Sequence, residues 1–195
     1  MSPKKKIIAV QPLGDVRRDV LEVVAANLQA FFQIPTEVLI DQPIPDEAFN
    51  PHRGQSNCYP ILKFLNTVRP GHAIKIIGVT EVDLYIPILT YVFGEAELGG
   101  HATVISTHRL ARAEDWEPVS PKQLFERAAK IAIHELAHTF HLPHCGGEDR
   151  CIMSSFPVLS HIDEKPIYFC RYCVTFLKDA YKKLGIVEPP GFQGG

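Results

Sequence analysis

The sequence predicts an α/β fold, a sheet with helices packed on it. Three observations carry this. Short β-branched runs at residues 7–10, 36–40, 73–79 and 102–106 alternate with segments of helical periodicity. Hydrophobic residues make up 46% and charged residues 22%, the proportions of a globular chain. A chain of 195 residues buries roughly 70% of its unfolded surface, enough for a core that needs no disulfides.

Residues 7–10, Ile-Ile-Ala-Val, follow three lysines and read as a buried strand behind a basic cap. Residues 17–32 place Val20, Leu21, Val24, Leu28 and Phe31 on one helical face, and Pro35 stops the pattern. A second strand at 36–40 leads into residues 41–55, a loop by its three prolines, Asn50 and Gly54. Residues 61–68 read as a helix ended by Pro70-Gly71, and 73–79 as the third strand. Residues 91–93 read as a fourth strand, and 102–106 as a fifth, entered through Gly99-Gly100. A long helix then begins at a clear signal: Ser120 as N-cap, Pro121 at the first helical position and Gln123 at the capping-box position. Leu124, Ala128, Ile131, Ala132 and Leu136 form its apolar stripe. It should run from Pro121 to about Phe140, because Pro143 pushes Leu142 out of helical geometry. A last helix carries Val174, Leu177, Ala180, Tyr181 and Leu184, with Gly185 as its stop. The expected organisation is one domain over 1–195. Its sheet-and-helix part spans 1–141 and its cysteine-rich part 142–195.

Several function classes are set aside by composition. The net charge is −2, so no bulk positive field exists to attract nucleic acid. The longest apolar stretch, 85–93, contains Pro87 and Thr90 and falls far short of the roughly 20 residues of a membrane span. No targeting signal is apparent, which points to the cytoplasm. Oligomeric state is not legible.

The chemistry concentrates in His134-Glu135-Leu136-Ala137-His138. Two histidines four apart share a helix face, one turn from each other, and can bind one zinc ion. Glu135 is rotated by about 100°, near the metal without being forced to ligate it, which suits a general base acting on a zinc-activated water. The bland alternative is two solvated histidines on an exposed face. His141 and His144 compete as third ligand. On a continued helix His141 would lie about 10 Å along the axis from His134. His144 lies past the break at Pro143, where the chain can turn back, and is the choice.

Five cysteines in a chain read as cytosolic argue for metal rather than disulfides. Cys145, Cys151, Cys170 and Cys173 form two pairs, the set a closed tetrahedral structural zinc requires. A redox Cys-x-x-Cys pair, or four buried thiols, are the alternatives. Cys58 stands apart and reads as a buried free thiol.

Taken together, His134, Glu135, His138, His144, Cys145, Cys151-Ile152-Met153 and Cys170-x-x-Cys173 resemble the archaemetzincin family of the metzincin clan of zinc metallopeptidases. The likeness extends upstream to Gly78-Val79-Thr80, Asp83-Leu84, Tyr91-Val92-Phe93-Gly94 and residues 106–110. It implies a mixed twisted sheet, a long active-site helix, and a turn beneath the catalytic zinc floored by Met153. It also implies that 102–106 is the edge strand beside the cleft, where a peptide adds by backbone pairing. One departure stands out. The family's turn after the second histidine normally uses Gly, for its left-handed conformation, and this chain has His141 there. Two cysteine spacings also differ by one residue from the usual pattern.

The expected function is therefore a zinc-dependent metallopeptidase with two Zn2+ ions per chain, one catalytic and one structural. Glu135 would be the general base and a peptide or protein the substrate. The runner-up is a non-catalytic, zinc-stabilised peptide-binding module on the same scaffold.

Overall fold

The α/β expectation holds in a computed structural model, which describes residues 5–186. Strand β1 (Ile7–Leu13) is followed by helix α1 (Arg18–Phe32), which ends as Gln33 turns left-handed at φ 52°. After β2 (Thr36–Val38), the segment read as loop holds a 3-10 turn at Asp46–Ala48 and two short strands, β3 (Phe49–Asn50) and β4 (Gln55–Asn57). Helix α2 (Cys58–Val68) starts three residues before the expected 61. The reason is Asn57, whose side chain caps it by accepting from the Tyr59 N–H. Then come β5 (Ala73–Thr80), β6 (Leu84–Tyr85), β7 (Gly94–Ala96) and β8 (Ala102–Ser106).

Helix α3 (Pro121–Thr139) begins as its sequence dictates, with Ser120 Oγ accepting from the Gln123 N–H at 3.2 Å. A short helix α4 (Leu159–Glu164) follows, then α5 (Arg171–Leu184), closed by left-handed Gly185. Nothing in the sequence reading anticipated α4: six residues are too few for a periodic signal.

The main sheet has the order β2-β1-β5-β8-β7. Strands β2, β1, β5 and β8 run parallel, and β7 pairs antiparallel with β8. This corrects two expectations. Residues 102–106 do not form the edge: β8 is interior, and β7 is the edge strand. The fourth strand also lies at 94–96 rather than 91–93. Strands β3, β4 and β6 form a small second sheet.

Side-chain alternation divides the core between the sheet's two faces. Ile8, Val10, Ile77, Val79 and Ile105 meet α1, α3 and α5 on one face. Ile7, Ala9, Ile76 and Val104 meet α2 on the other. Helix α3 is buried on nearly every side, so its charged residues find partners. Arg127 makes a bidentate pair with Asp163 on α4, at 2.6 and 2.7 Å, and donates to the Leu110 and Arg112 carbonyls. Lys130 Nζ donates to the Ile162 and Asp163 carbonyls at the end of α4. No helix among the described residues is long and apolar enough to cross a membrane.

Candidate metal centre

Helix α3 sets the site because its last two turns carry His134, Glu135 and His138. The Nδ1–H of His134 donates to the Ile152 carbonyl at 2.7 Å, and that of His138 to the Leu142 carbonyl at 2.6 Å. Carbonyls only accept, so both protons sit on Nδ1 and both Nε2 atoms carry lone pairs. Those two Nε2 atoms are 3.1 Å apart. Two ligands of a tetrahedral zinc at 2.0–2.1 Å stand roughly 3.3 Å from each other. His144, returning after Pro143, brings its ring centroid to 5.2 Å from His134 and 4.9 Å from His138. One ligand atom from each of the three lies within 4.8 Å of the others. Burial lowers the pKa of all three, that of His134 to about 3, so the imidazoles are neutral and able to ligate.

His141 is not part of this group. It takes the left-handed conformation, φ 67°, that the turn demands. Its ring lies against Gly99, where an added Cβ would run into it. Gly99 in turn donates its N–H to the His138 carbonyl at 2.9 Å. A second tie to the helix end escaped the sequence reading. Lys75 on β5 is 3% exposed, and its ammonium donates to the Thr139 carbonyl at 2.6 Å and the Gly100 carbonyl at 2.7 Å. A cation there complements the negative end of the helix dipole. Burial lowers its pKa to about 8.

Glu135 packs against β7 where that strand borders the cleft. A Cβ on Gly94 would lie 2.7 Å from Glu135 Cγ and 2.8 Å from the Val104 carbonyl, so the glutamate needs glycine beside it. Sequence reasoning assigned Gly94 no role, although an isolated glycine at a strand start is a signal of close approach. Burial, with the Glu95 charge adding, pushes the Glu135 pKa up to about 8. Without a metal this keeps the proton on Glu135 at neutral pH; a cation held by the three histidines would favour the carboxylate. The histidines and Glu135 open onto a cleft of about 820 Å³, bounded by β7 above and by Ser155, Phe156 and Pro157 below.

The four cysteines gather beside this cleft. Sγ of Cys145 and Cys170 are 3.6 Å apart, as are those of Cys151 and Cys173, and all four lie within 4.8 Å of one another. These separations far exceed the S–S bond length of about 2.05 Å and approach the roughly 3.8 Å edge of a tetrahedral zinc–thiolate site. Backbone N–H groups of Gly147 and Cys170 point at the sulfurs of Cys145 and Cys151. The hydrogen bond from Cys173 draws the Cys151 thiol down to about 5. The turn between the two sites has Met153 fully buried, and the Met153 carbonyl accepts from the Cys145 N–H at 2.8 Å.

Comparison with known proteins gives the family and the fold. The model of "Peptidase family M54" matches residues 10–179. The archaemetzincin of Methanocaldococcus jannaschii is 39% identical over 172 residues, 88% of this chain and 93% of that protein. The archaemetzincin of Pyrococcus furiosus is 35% identical over 181 residues, 90% of this chain and 94% of that one. The crystal structure of archaemetzincin from Archaeoglobus fulgidus complexed with malonate superposes with a TM-score of 0.74 at 35% identity, covering 88% of this chain and 99% of that one. That of archaemetzincin from Methanopyrus kandleri gives 0.78 at 28% identity, over 93% and 99%. Similarity of this extent along the sequence, on the same fold, means that the chain belongs to peptidase family M54, among the archaemetzincins, and is a zinc metallopeptidase.

Proposed function

We propose that His134, His138 and His144 hold the catalytic zinc, that Cys145, Cys151, Cys170 and Cys173 hold a second, structural zinc, and that Glu135 is the general base. The observation that carries this is the pair of Nε2 lone pairs 3.1 Å apart, with both Nδ1 protons already committed to carbonyls. Two lone pairs so placed repel each other, and a cation between them removes the conflict. When bound there, zinc supplies Lewis acidity, acidifying a water and polarising the scissile carbonyl.

The remaining work falls to the protein. The cleft orients the peptide along β7. The Glu135 carboxylate takes the proton of the attacking water and then delivers it to the leaving amine nitrogen. Its burial against Gly94 keeps it aimed at the cleft and excludes competing water. The Ile152 and Leu142 carbonyls hold the two imidazoles in the ligating tautomer.

The test is cleavage of a mixed peptide library, read by mass spectrometry, with wild type and Glu135→Ala at equal, measured zinc content. Wild type should cut, and Glu135→Ala should be slower by about 10²–10⁴-fold with its zinc retained. Equal turnover by the two proteins would remove Glu135 from the mechanism.

A further inference from the structure

Strand β7 is an open edge with a concavity on each side. Its pairing with β8 is anchored by Glu97 N–H to the Ala102 carbonyl at 3.1 Å and Ser106 N–H to the Phe93 carbonyl at 2.9 Å. In an antiparallel pair the bonded residues alternate, so 93, 95 and 97 face β8. The N–H and C=O groups of Gly94 and Ala96 therefore point away from the sheet. A peptide that pairs with them sends its side chains alternately to the two faces.

One of those faces is the metal cleft, for a Cβ on Gly94 would meet Glu135. Glu95 is the next residue, so strand alternation sends its side chain to the other face, although the residue also borders the metal cleft. It is paired with Val104, which packs among α2 residues. On this face lies a groove of about 590 Å³, lined by Tyr59, Leu62, Lys63, Asn66 and Glu95.

Two carboxylates border the groove, and they differ. Glu97 is satisfied: Asn66 Nδ2 donates to it at 2.7 Å, and the N–H groups of His101 and Ala102 at 3.3 Å. Glu95 is half-buried, yet among the described residues it has no ion pair and accepts no hydrogen bond on its carboxylate. Burial raises its pKa, the sign of a carboxylate lacking the partner that would favour its charge. Lys63 is exposed and forms no ion pair with it. In a folded protein a half-buried, unpartnered carboxylate on a substrate-binding edge is poised for a cation brought by the substrate.

We propose that the groove between β7 and α2 is a specificity subsite for a basic side chain, with Glu95 as its carboxylate partner. The peptide residue lying directly opposite Glu95 is then Lys or Arg, because cross-strand neighbours share a face. The residues on either side of it face the metal cleft. This rests on the peptidase reading above, and the experiment separates the two.

A set of fluorescent nonapeptides places Lys, or its uncharged analogue norleucine, at each position in turn. Turnover is measured on wild type and Glu95→Gln. Binding is measured by anisotropy on the zinc-loaded Glu135→Ala protein, with and without Glu95→Gln. The expected result is one position, fixed relative to the cut, where Lys is favoured over norleucine about tenfold. Glu95→Gln should bring that ratio near one. Turnover with no position preferring Lys, or a preference that survives Glu95→Gln, overturns the subsite and leaves the peptidase reading intact. A Glu95-dependent preference in binding, with no cleavage by wild type, supports the subsite and overturns the peptidase reading. Peptides neither bound nor cut overturn both.

Discussion

The histidine cluster and the cysteine cluster are neighbours in the chain, joined at His144-Cys145, and they are built to opposite ends. The histidine cluster has three donors, one of them exposed, and opens onto the cleft. The cysteine cluster has four donors, three of them buried and none exposed. Donor count and exposure are what separate a metal that does chemistry from one that holds a fold. The proximity also has a use. The Cys145 N–H is tied to the Met153 carbonyl, and Ile152 next to it holds His134, so a metal held by the cysteines would brace the histidine cluster.

The largest effect should come from breaking the closed site alone. A structural zinc supplies roughly 10 kcal/mol of folding free energy. Wild type should carry two zinc equivalents, and Cys151→Ser/Cys173→Ser one or none, with α5 lost in circular dichroism. Elemental analysis decides it: two equivalents retained in the double variant would show that these thiols hold no metal.

Next comes a change that disturbs the open site and spares the closed one. Gly94→Ala puts a methyl 2.7 Å from Glu135 Cγ and 2.8 Å from a backbone oxygen. It should cost about 1–3 kcal/mol and, by displacing the base, about 10²-fold in kcat, with zinc content unchanged. Unaltered kcat would mean that Glu135 needs no such room.

A smaller effect belongs to the tie between α3 and α4, Arg127 with Asp163. The guanidinium hydrogen bonds hold the Asp163 pKa below its ordinary value of 3.8. A depressed carboxylate pKa gives stability that is present above the unfolded value and lost as pH falls through the folded one. Asp163→Asn should therefore lower stability by about 1 kcal/mol at neutral pH. Its deficit should shrink below about pH 4, as melting curves between pH 2.5 and 7 will report. A deficit independent of pH would assign the loss to packing.

The smallest effect tests the turn that leads from one site to the other. His141 pays the steric cost of φ 67° outside both clusters. His141→Gly should stabilise by about 0.5 kcal/mol, with both zinc equivalents kept. Loss of zinc in that variant would place His141 at the metal after all.

Much of this comparison was legible in the residues. Ser120 and Pro121 located the start of α3, and Pro143 its end, because caps and proline act within a turn of their own position. The helical repeat put His134 and His138 on one face. The choice of His144 over His141 followed from helix rise and the break at Pro143, and the folded chain gathers His134, His138 and His144. Strand β7 was misplaced because three residues carry no periodicity, and being an edge is a property of the whole sheet. Gly94 and Lys75 were passed over for the same reason. The glutamate that needs the glycine's space is 41 positions away in sequence, and the carbonyls that hold the buried lysine are 25 and 64 positions away.

The sequence by itself determined the chemical types, the helix that carries them and the two donor sets, since these depend on local spacing and backbone stereochemistry. Only the tertiary structure decided which strand borders the cleft, which face Glu135 presents to it, and which carboxylate beside it lacks a partner. Those depend on which distant segments the packed sheet and helices bring within a few ångströms, and no local rule encodes that.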